Sequence, residues 1–146
     1  MAALDTGSRR RSAAAGAAAA LVWAALEPFD RRVFRCDYSD VALLGKAVTR
    51  SRAWPAVGLA LHALNGGVFG VAFDVLRSRT EARTRPLALA AALSEHVVLY
   101  PLGWIVDRYH PARGEPGIPQ LMNNPRAFGQ ATVRHAVFGI VLGRLA

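Results

Sequence analysis

The sequence predicts an all-α polytopic membrane protein with four transmembrane helices, built as two parallel two-helix repeats. Hydrophobic residues make up 53% of the 146 residues and charged residues only 19%. The charges avoid four long windows of the chain, and these windows lack the polar stripe that soluble amphipathic helices show at a period of 3.6 residues. An internal similarity between the two halves of the chain is the third observation behind this prediction.

The N-terminal half contains a basic arm, the first window and a mixed connector. The arm covers residues 1–12, and the alanine-rich window that follows is expected to end its helix at Pro28. In the connector, Ser39 is placed to cap a short helix over residues 41–48, which is too short to cross a bilayer. A cleaved export signal is an alternative interpretation of the N-terminus, but the internal repeat favours a helix that belongs to the fold.

The other three windows cover residues 53–76, 86–106 and 127–146. Proline stands near the start of each helix, where a missing N–H costs nothing. Asn124 and Pro125 read as an N-cap followed by a first helical residue. Residues 13–146 are therefore predicted to form one transmembrane domain.

The two halves match each other at a shift of 73 residues, without a gap. Residues 13–73 give 13 identities in 61 pairs, against about 6 expected for so alanine-rich a composition. Most of the weight lies in a His-Ala-x-x-Gly-x-Val-x-Gly pattern that begins at His62 and again at His135. The match predicts a duplication, with repeat 1 at 13–76 and repeat 2 at 86–146. Convergent use of small residues in two packed helices is the alternative.

The basic residues predict contact with lipid. The formal net charge is +8, but the arginines flank apolar windows, where lipid headgroups lie, and form no basic helix face. We therefore expect the lipid bilayer as the partner and no nucleic acid, while a homo-oligomer or another membrane partner stays open. The dense arginines from Arg77 to Arg85 favour a multi-pass cell-membrane protein with both termini in the cytoplasm.

Ionisable and amide side chains inside the windows are the candidate functional residues. Charged or ionisable groups are costly in a bilayer and usually face the interior of a helix bundle. We predict one buried polar cluster near the midplane, formed by His62, Asn65, Glu95, His96 and His135.

Small residues recur every four positions in the second and fourth windows, as Gly-x-x-x-Gly patterns. Such spacing lets two helix backbones approach closely. The glycines predicted to pack helices are Gly58, Gly66, Gly70, Gly139 and Gly143.

Three functions are compatible with these residues. The first is a structural or accessory membrane protein, in which the polar cluster holds the helices together and no cofactor is needed. The second is a membrane protein that binds haem or a transition metal through His62 and His135, an arrangement that resembles membrane b-type cytochromes. The third is a small proton-coupled carrier or channel subunit that uses Glu95 and the histidines.

Enzyme signatures are absent from the sequence. It contains no nucleophile elbow, phosphate-binding loop, zinc-protease motif or dinucleotide fingerprint, and its single cysteine excludes an internal disulfide. The residues 26–28 and 38–40 and the two histidine patterns resemble those of small four-helix integral membrane proteins of bacteria. The resemblance implies a membrane location and assigns no activity.

Overall fold

A computed structural model describes residues 6–146 of the chain. Over this range the protein is all-helical, without strands. The helices are α1 (Thr6–Phe34), α2 (Asp40–Val48), α3 (Trp54–Arg77), α4 (Thr84–Leu99), α5 (Gly103–Tyr109) and α6 (Pro125–Leu145). A 3₁₀ turn at Tyr100–Leu102 joins α4 to α5.

Within residues 6–146, three helical segments are long and apolar enough to cross a membrane: Thr6–Phe34, Trp54–Arg77 and Thr84–Tyr109. The sequence predicts four spans, and the fourth predicted window does form a helix, α6. However, α6 is not among the three segments, since Arg126, Arg134 and Arg144 interrupt its apolar character. Its placement across the bilayer therefore stays a proposal.

The two helix starts that were predicted from capping residues are confirmed. The Ser39 side chain accepts a hydrogen bond from the Ala42 N–H at the start of α2. The Asn124 side chain accepts one from the Ala127 N–H, directly before the proline that opens α6. These caps satisfy backbone donors that have no partner within a first helical turn.

Two predicted boundaries differ from the structure. Helix α1 begins at Thr6, inside the predicted basic arm, and it continues through Pro28 to Phe34. Proline removes one helical hydrogen bond, but packing on both sides can hold the helix together beyond it. At the corresponding position in the second half, Pro101 instead lies in the 3₁₀ turn that separates α4 from α5.

The long helices lie side by side in the order α3, α1, α6, α4. Helix α3 packs along α1, α1 along α6, and α6 along α4, whereas α3 and α4 touch only sparsely. Helix α2 lies on α3. The bundle therefore has a cleft between α3 and α4, with α1 and α6 behind it. The pairs α1–α3 and α4–α6 correspond to the two predicted repeats, whose common origin stays a prediction.

Glycines bring neighbouring backbones into contact at the predicted packing positions. A Cβ on Gly66 would lie 2.6 Å from Ala20 Cβ, and one on Gly70 would overlap the Ser12 carbonyl group. In the second half, Cβ atoms on Gly139 and Gly143 would lie 2.8 Å from Leu89 Cα and 2.9 Å from Arg85 Cα. Gly58 contacts α2 in the same way, where its Cβ would overlap the Val41 carbonyl group.

The outer surface of the bundle is apolar. Large hydrophobic side chains in the middle of α3 and at the end of α4 are between 61% and 72% exposed, namely Leu64, Val68, Val97 and Val98. An apolar face this extensive is unfavourable in water and matches the hydrocarbon of a bilayer.

Candidate functional site

Arg134 lies in the middle of α6 and is 1% exposed. Its Nε donates to Asp30 Oδ2 at 2.5 Å, and its Nη2 donates to Asp30 Oδ1 at 2.6 Å. Its Nη1 donates to Asp40 Oδ2 at 2.8 Å and lies 3.7 Å from Glu27 Oε1. The guanidinium therefore joins α6 to α1 and to α2 through charge-assisted hydrogen bonds.

Tyr38 and Gln130 complete this arginine network. The Tyr38 carbonyl accepts from both Arg134 Nη2, at 3.0 Å, and Gln130 Nε2, at 3.2 Å. Gln130 Nε2 also donates to Asp30 at 2.6 Å. The Tyr38 ring lies below the guanidinium, 5.3 Å from its carbon. The network thus fixes the α1–α2 connector against α6.

Glu27 caps the start of α2 from within α1. Its carboxylate accepts from Ser39 Oγ at 2.5 Å and from the Asp40 N–H at 2.8 Å. The N-terminus of a helix carries a partial positive charge, which stabilises a carboxylate at this position. Glu27 is thus held by backbone and hydroxyl donors.

Three carboxylates occupy more buried positions than the sequence indicates. Glu27, Asp30 and Asp74 stand at or near the ends of apolar windows, where a carboxylate can reach the membrane interface, but they are only 6%, 8% and 2% exposed. The first two face the arginine network, and Asp74 accepts hydrogen bonds from Ser8 and Arg77. Each is buried because a donor from another part of the chain replaces water.

Asp40 and Tyr38 interact closely within the network. The Tyr38 hydroxyl donates to Asp40 Oδ1 at 2.6 Å, and Trp23 Nε1 donates to Asp40 Oδ2 at 3.0 Å. Burial by itself would raise the pKa of Asp40. The charge of Arg134 opposes burial most strongly, followed by His62 and the Tyr38 hydroxyl, and together they hold this pKa below its usual value. Burial and the Asp40 charge raise the pKa of Tyr38 well above its usual value. At neutral pH Asp40 is therefore an acceptor and Tyr38 a donor.

Acid is expected to weaken the fold through Asp40. Because the pKa of Asp40 is lower in the folded state, its ionised form stabilises the protein above the unfolded value of about 3.9. That stabilisation is lost as the pH falls through the folded pKa. Thermal unfolding in detergent between pH 2.5 and 7 measures this loss, and Asp40→Asn should flatten the acid limb. An equally steep acid limb in the variant would contradict the expectation.

A cavity of about 290 Å³ lies next to the arginine network, in front of α1 and α6. All five residues of the predicted polar cluster line this cavity: His62, Asn65, Glu95, His96 and His135. Aromatic and aliphatic side chains, including Trp23, Phe69 and Phe138, form the remaining wall. The structure thus brings the predicted residues of α3, α4 and α6 together, and it adds Asp40 and Tyr38 to them.

Glu95 and His135 form a pair on one side of the cavity. His135 Nδ1 lies 2.7 Å from the Ala131 carbonyl, which can only accept, so Nδ1 carries a hydrogen. His135 Nε2 faces Glu95 Oε2 at 3.5 Å. If neither side chain bound a further proton, the lone pair of His135 Nε2 would face the negatively charged Glu95 carboxylate. A proton bound at either of these two facing atoms would join the side chains by a hydrogen bond.

His96 lies beside this pair and has a fixed hydrogen-bond direction. The Thr132 hydroxyl donates to the Phe128 carbonyl at 2.8 Å, so it must accept from His96 Nε2, which lies 2.9 Å away. The His96 and His135 rings are 4.7 Å apart, centre to centre. His96 and His135 thus lie side by side on the wall of the cavity.

His62 lies on the other side of the cavity and differs from the other two imidazoles. It is 6% exposed, and its Nε2 has no hydrogen-bond partner among residues 6–146. Its ring meets Trp23 edge-on, at 5.1 Å between ring centres, and Trp23 meets His135 in the same way at 4.5 Å. A buried ring nitrogen without a partner is costly unless a ligand or solvent satisfies it.

His110 is a structural residue. The sequence favours an exposed loop position, but His110 is 8% exposed. Its Nε2 donates to the Leu43 carbonyl at 2.9 Å, and its Nδ1 accepts from the Ala112 N–H at 3.1 Å. Both nitrogens are satisfied, so this histidine ties the 110–118 loop to α2.

The predicted haem or metal site at His62 and His135 stays a prediction. In the part of the chain that the structure describes, no three His, Cys, Asp or Glu side chains are arranged to hold a metal ion.

Sequence reasoning missed the arginine network, although a signal was present. Gln130 and Arg134 stand four residues apart inside an apolar window, and Glu27 and Asp30 stand three apart across the end of another. Both spacings place the two side chains on one helix face. Opposite charges on the faces of two apolar helices indicate that these faces pair with each other in the interior of a bundle.

Comparison with known proteins adds no assignment: no family model, no curated protein and no solved structure matches this chain.

Proposed function

We propose that the chain is a multi-pass membrane protein that takes up and releases a proton in its cavity, as a small proton-coupled carrier or channel subunit does. The Glu95–His135 pair carries this proposal, because His135 Nε2 and Glu95 Oε2 face each other 3.5 Å apart, where one proton would join them. Both side chains are accessible from the cavity, with 30% and 15% exposure. Ionisable groups that are shielded from lipid and reachable from a cavity are typical of proton relays.

The surroundings of the pair offer a further group that can carry a proton. His96 places a second imidazole ring 4.7 Å from that of His135, measured between ring centres. The cavity also contacts Asp40, whose charge Arg134 balances. In this proposal α6 crosses the bilayer as a fourth span, with Arg134 neutralised by its carboxylate partners.

Proton flux in liposomes tests the proposal. We expect protein reconstituted with an internal pH-sensitive dye to carry protons when a pH difference is imposed, and Glu95→Gln to lower the rate at least tenfold. The matched control is Glu81→Gln, which changes an exposed glutamate outside the cavity. The unfolding temperature of both variants should stay close to that of the parent. Equal flux in parent and Glu95→Gln would contradict the proposal.

A structural or accessory role is the second candidate, and the arginine network favours it. Arg134 links α6 to Asp30 on α1 and to Asp40 on α2 with bonds of 2.5–2.8 Å. Such a network fixes which helix faces meet, whether or not protons move. If the liposomes show no flux in any variant, this role becomes the leading one.

A further inference from the structure

The side chains on the cavity wall use most of their hydrogen-bond donors within the protein. Trp23 Nε1 and the Tyr38 hydroxyl both donate to Asp40. The donating nitrogens of His96 and His135 are bound to a threonine hydroxyl and to a backbone carbonyl. The wall therefore keeps few donors for a ligand.

Acceptors remain available on the same wall. His62 Nε2 has no hydrogen-bond partner within residues 6–146, and the other nitrogen of this ring is bonded to the Ala20 carbonyl. Nε2 of the neutral ring is therefore an acceptor. His135 Nε2 is an acceptor as well, because Nδ1 carries the hydrogen, and it faces the Glu95 carboxylate, which accepts when it is ionised. A ligand that completes these contacts must bring the donors itself.

The charge on the wall selects a cation. Asp40 and Glu95 line the cavity, whereas no lysine or arginine of residues 6–146 does. The buried Arg134 already faces three carboxylates, those of Glu27, Asp30 and Asp40. The arginine network therefore has no positive charge left for Glu95. A ligand with a positive charge and N–H donors satisfies both conditions, whereas an anion satisfies neither.

The rest of the wall fits a small apolar body. Trp23, Phe69 and Phe138 pack apolar groups, and an aromatic face also attracts a cation within about 6 Å of its ring centre. Ligand pockets usually measure about 300–1,000 Å³, so a cavity of about 290 Å³ takes a small ligand. The cavity opens between α3 and α4, where the most exposed lining residues are Asn65, Leu99 and Leu102.

We propose that the cavity binds a small protonated amine with an apolar body, whose N–H groups donate to the Glu95 carboxylate and to the imidazole acceptors of the wall. This inference rests on the proposed function, since it names the substrate class of the same cavity. The ammonium group supplies the positive charge that a proton on the Glu95–His135 pair supplies otherwise. Amine and proton therefore compete for one site, and the amine is the substrate that the carrier exchanges for protons.

Calorimetric titration of the full chain in neutral phosphatidylcholine nanodiscs measures this binding. The probe is 4-phenylbutylamine, which is protonated at neutral pH as a lysine side chain is. Empty nanodiscs correct for partition into the lipid. We expect saturable binding of the amine and, because the charge is lost, binding of 4-phenylbutanol that is weaker by about tenfold or more. The anion 4-phenylbutanoate should not bind. Equal affinity for the amine and the alcohol would overturn the inference, as would displacement of the amine by an equal concentration of sodium ions.

Substitutions on the wall locate the ammonium group. Glu95→Gln keeps the size of the side chain but removes its charge, and it should raise the Kd of the amine by about tenfold or more. The matched control Glu81→Gln, at an exposed position outside the cavity, should leave the Kd unchanged. His62→Leu removes an acceptor and should weaken binding, whereas His62→Gln keeps a carbonyl acceptor and should weaken it less. An unchanged Kd in Glu95→Gln would overturn the inference. The ligand series on the parent chain decides the question where a variant fails to fold.

The two proposals fail separately. Proton flux that depends on Glu95, together with equal affinity for the amine and the alcohol, would leave the proton function standing and remove the amine. Saturable amine binding that depends on Glu95, without any proton flux, would support an amine-binding membrane protein and remove the proton carrier.

Discussion

Replacing Arg134 with methionine is expected to destabilise the protein by about 3–5 kcal/mol, because removal of one partner leaves buried charges uncompensated. Asp30 would lose two hydrogen bonds and Asp40 one, and the three carboxylates around the site would face no cation. Both aspartates have limited access to water, so solvent cannot replace the guanidinium fully. Thermal or denaturant unfolding in mild detergent, followed by circular dichroism, measures the loss.

Arg126→Met is the matched control for this substitution. Arg126 stands on the same helix as Arg134, is exposed, and has no ion pair with any residue of the described range. Its replacement should change stability by less than about 0.5 kcal/mol. If the two variants unfold alike, the network does not hold the helices, and the structural candidate function loses its main support.

A single methyl group on Gly66 is expected to cost about 2 kcal/mol. The new Cβ would lie 2.5 Å from the Gly16 carbonyl oxygen and 2.6 Å from Ala20 Cβ, so α1 and α3 would have to move apart. Because α3 also carries His62 and lines the cavity, the same change should lower proton flux. The unfolding midpoint of Gly66→Ala in detergent measures the first effect, and the liposome assay measures the second.

The neighbouring Gly67 provides a control that isolates the helix contact. A Cβ there would lie 3.4 Å from the Ala13 carbonyl oxygen, an ordinary contact. Gly67→Ala removes a glycine from a helix interior, which stabilises by about 0.5–1 kcal/mol when no clash results. The two substitutions should therefore move stability in opposite directions. A loss of the same size at both positions would show that helix crossing does not depend on Gly66.

Local signals in the sequence were sufficient for the long helices and for five polar residues of the cavity. Apolar windows predicted the long helices, and Ser39 and Asn124 marked the starts of α2 and α6, because a capping side chain acts within one turn of its own helix. The five polar residues of the predicted cluster were identifiable because ionisable groups in apolar windows are costly and tend to converge.

The ends of some helices depended on surroundings that the sequence does not display. Pro28 and Pro101 correspond at the shift of 73 residues, yet α1 continues through Pro28 while the second half turns into a 3₁₀ segment at Pro101. Two residues after Pro28, Asp30 is bound to Arg134, which ties the C-terminal part of α1 to α6. Proline at corresponding positions thus interrupts the helix in one half and not in the other, because the tertiary contacts around it differ.

The sequence by itself determined that this chain is helical, apolar along most of its length and supplied with a few intramembrane ionisable groups. Only the tertiary structure decided which of those groups meet. Arg134 and Asp30 are 104 residues apart, and Glu95 and His135 belong to different helices. Hydropathy and capping act over one or two helical turns, whereas the pairing of buried charges depends on which helices are neighbours and at what rotation. That arrangement is set by packing over the whole bundle, including the close approach at Gly66.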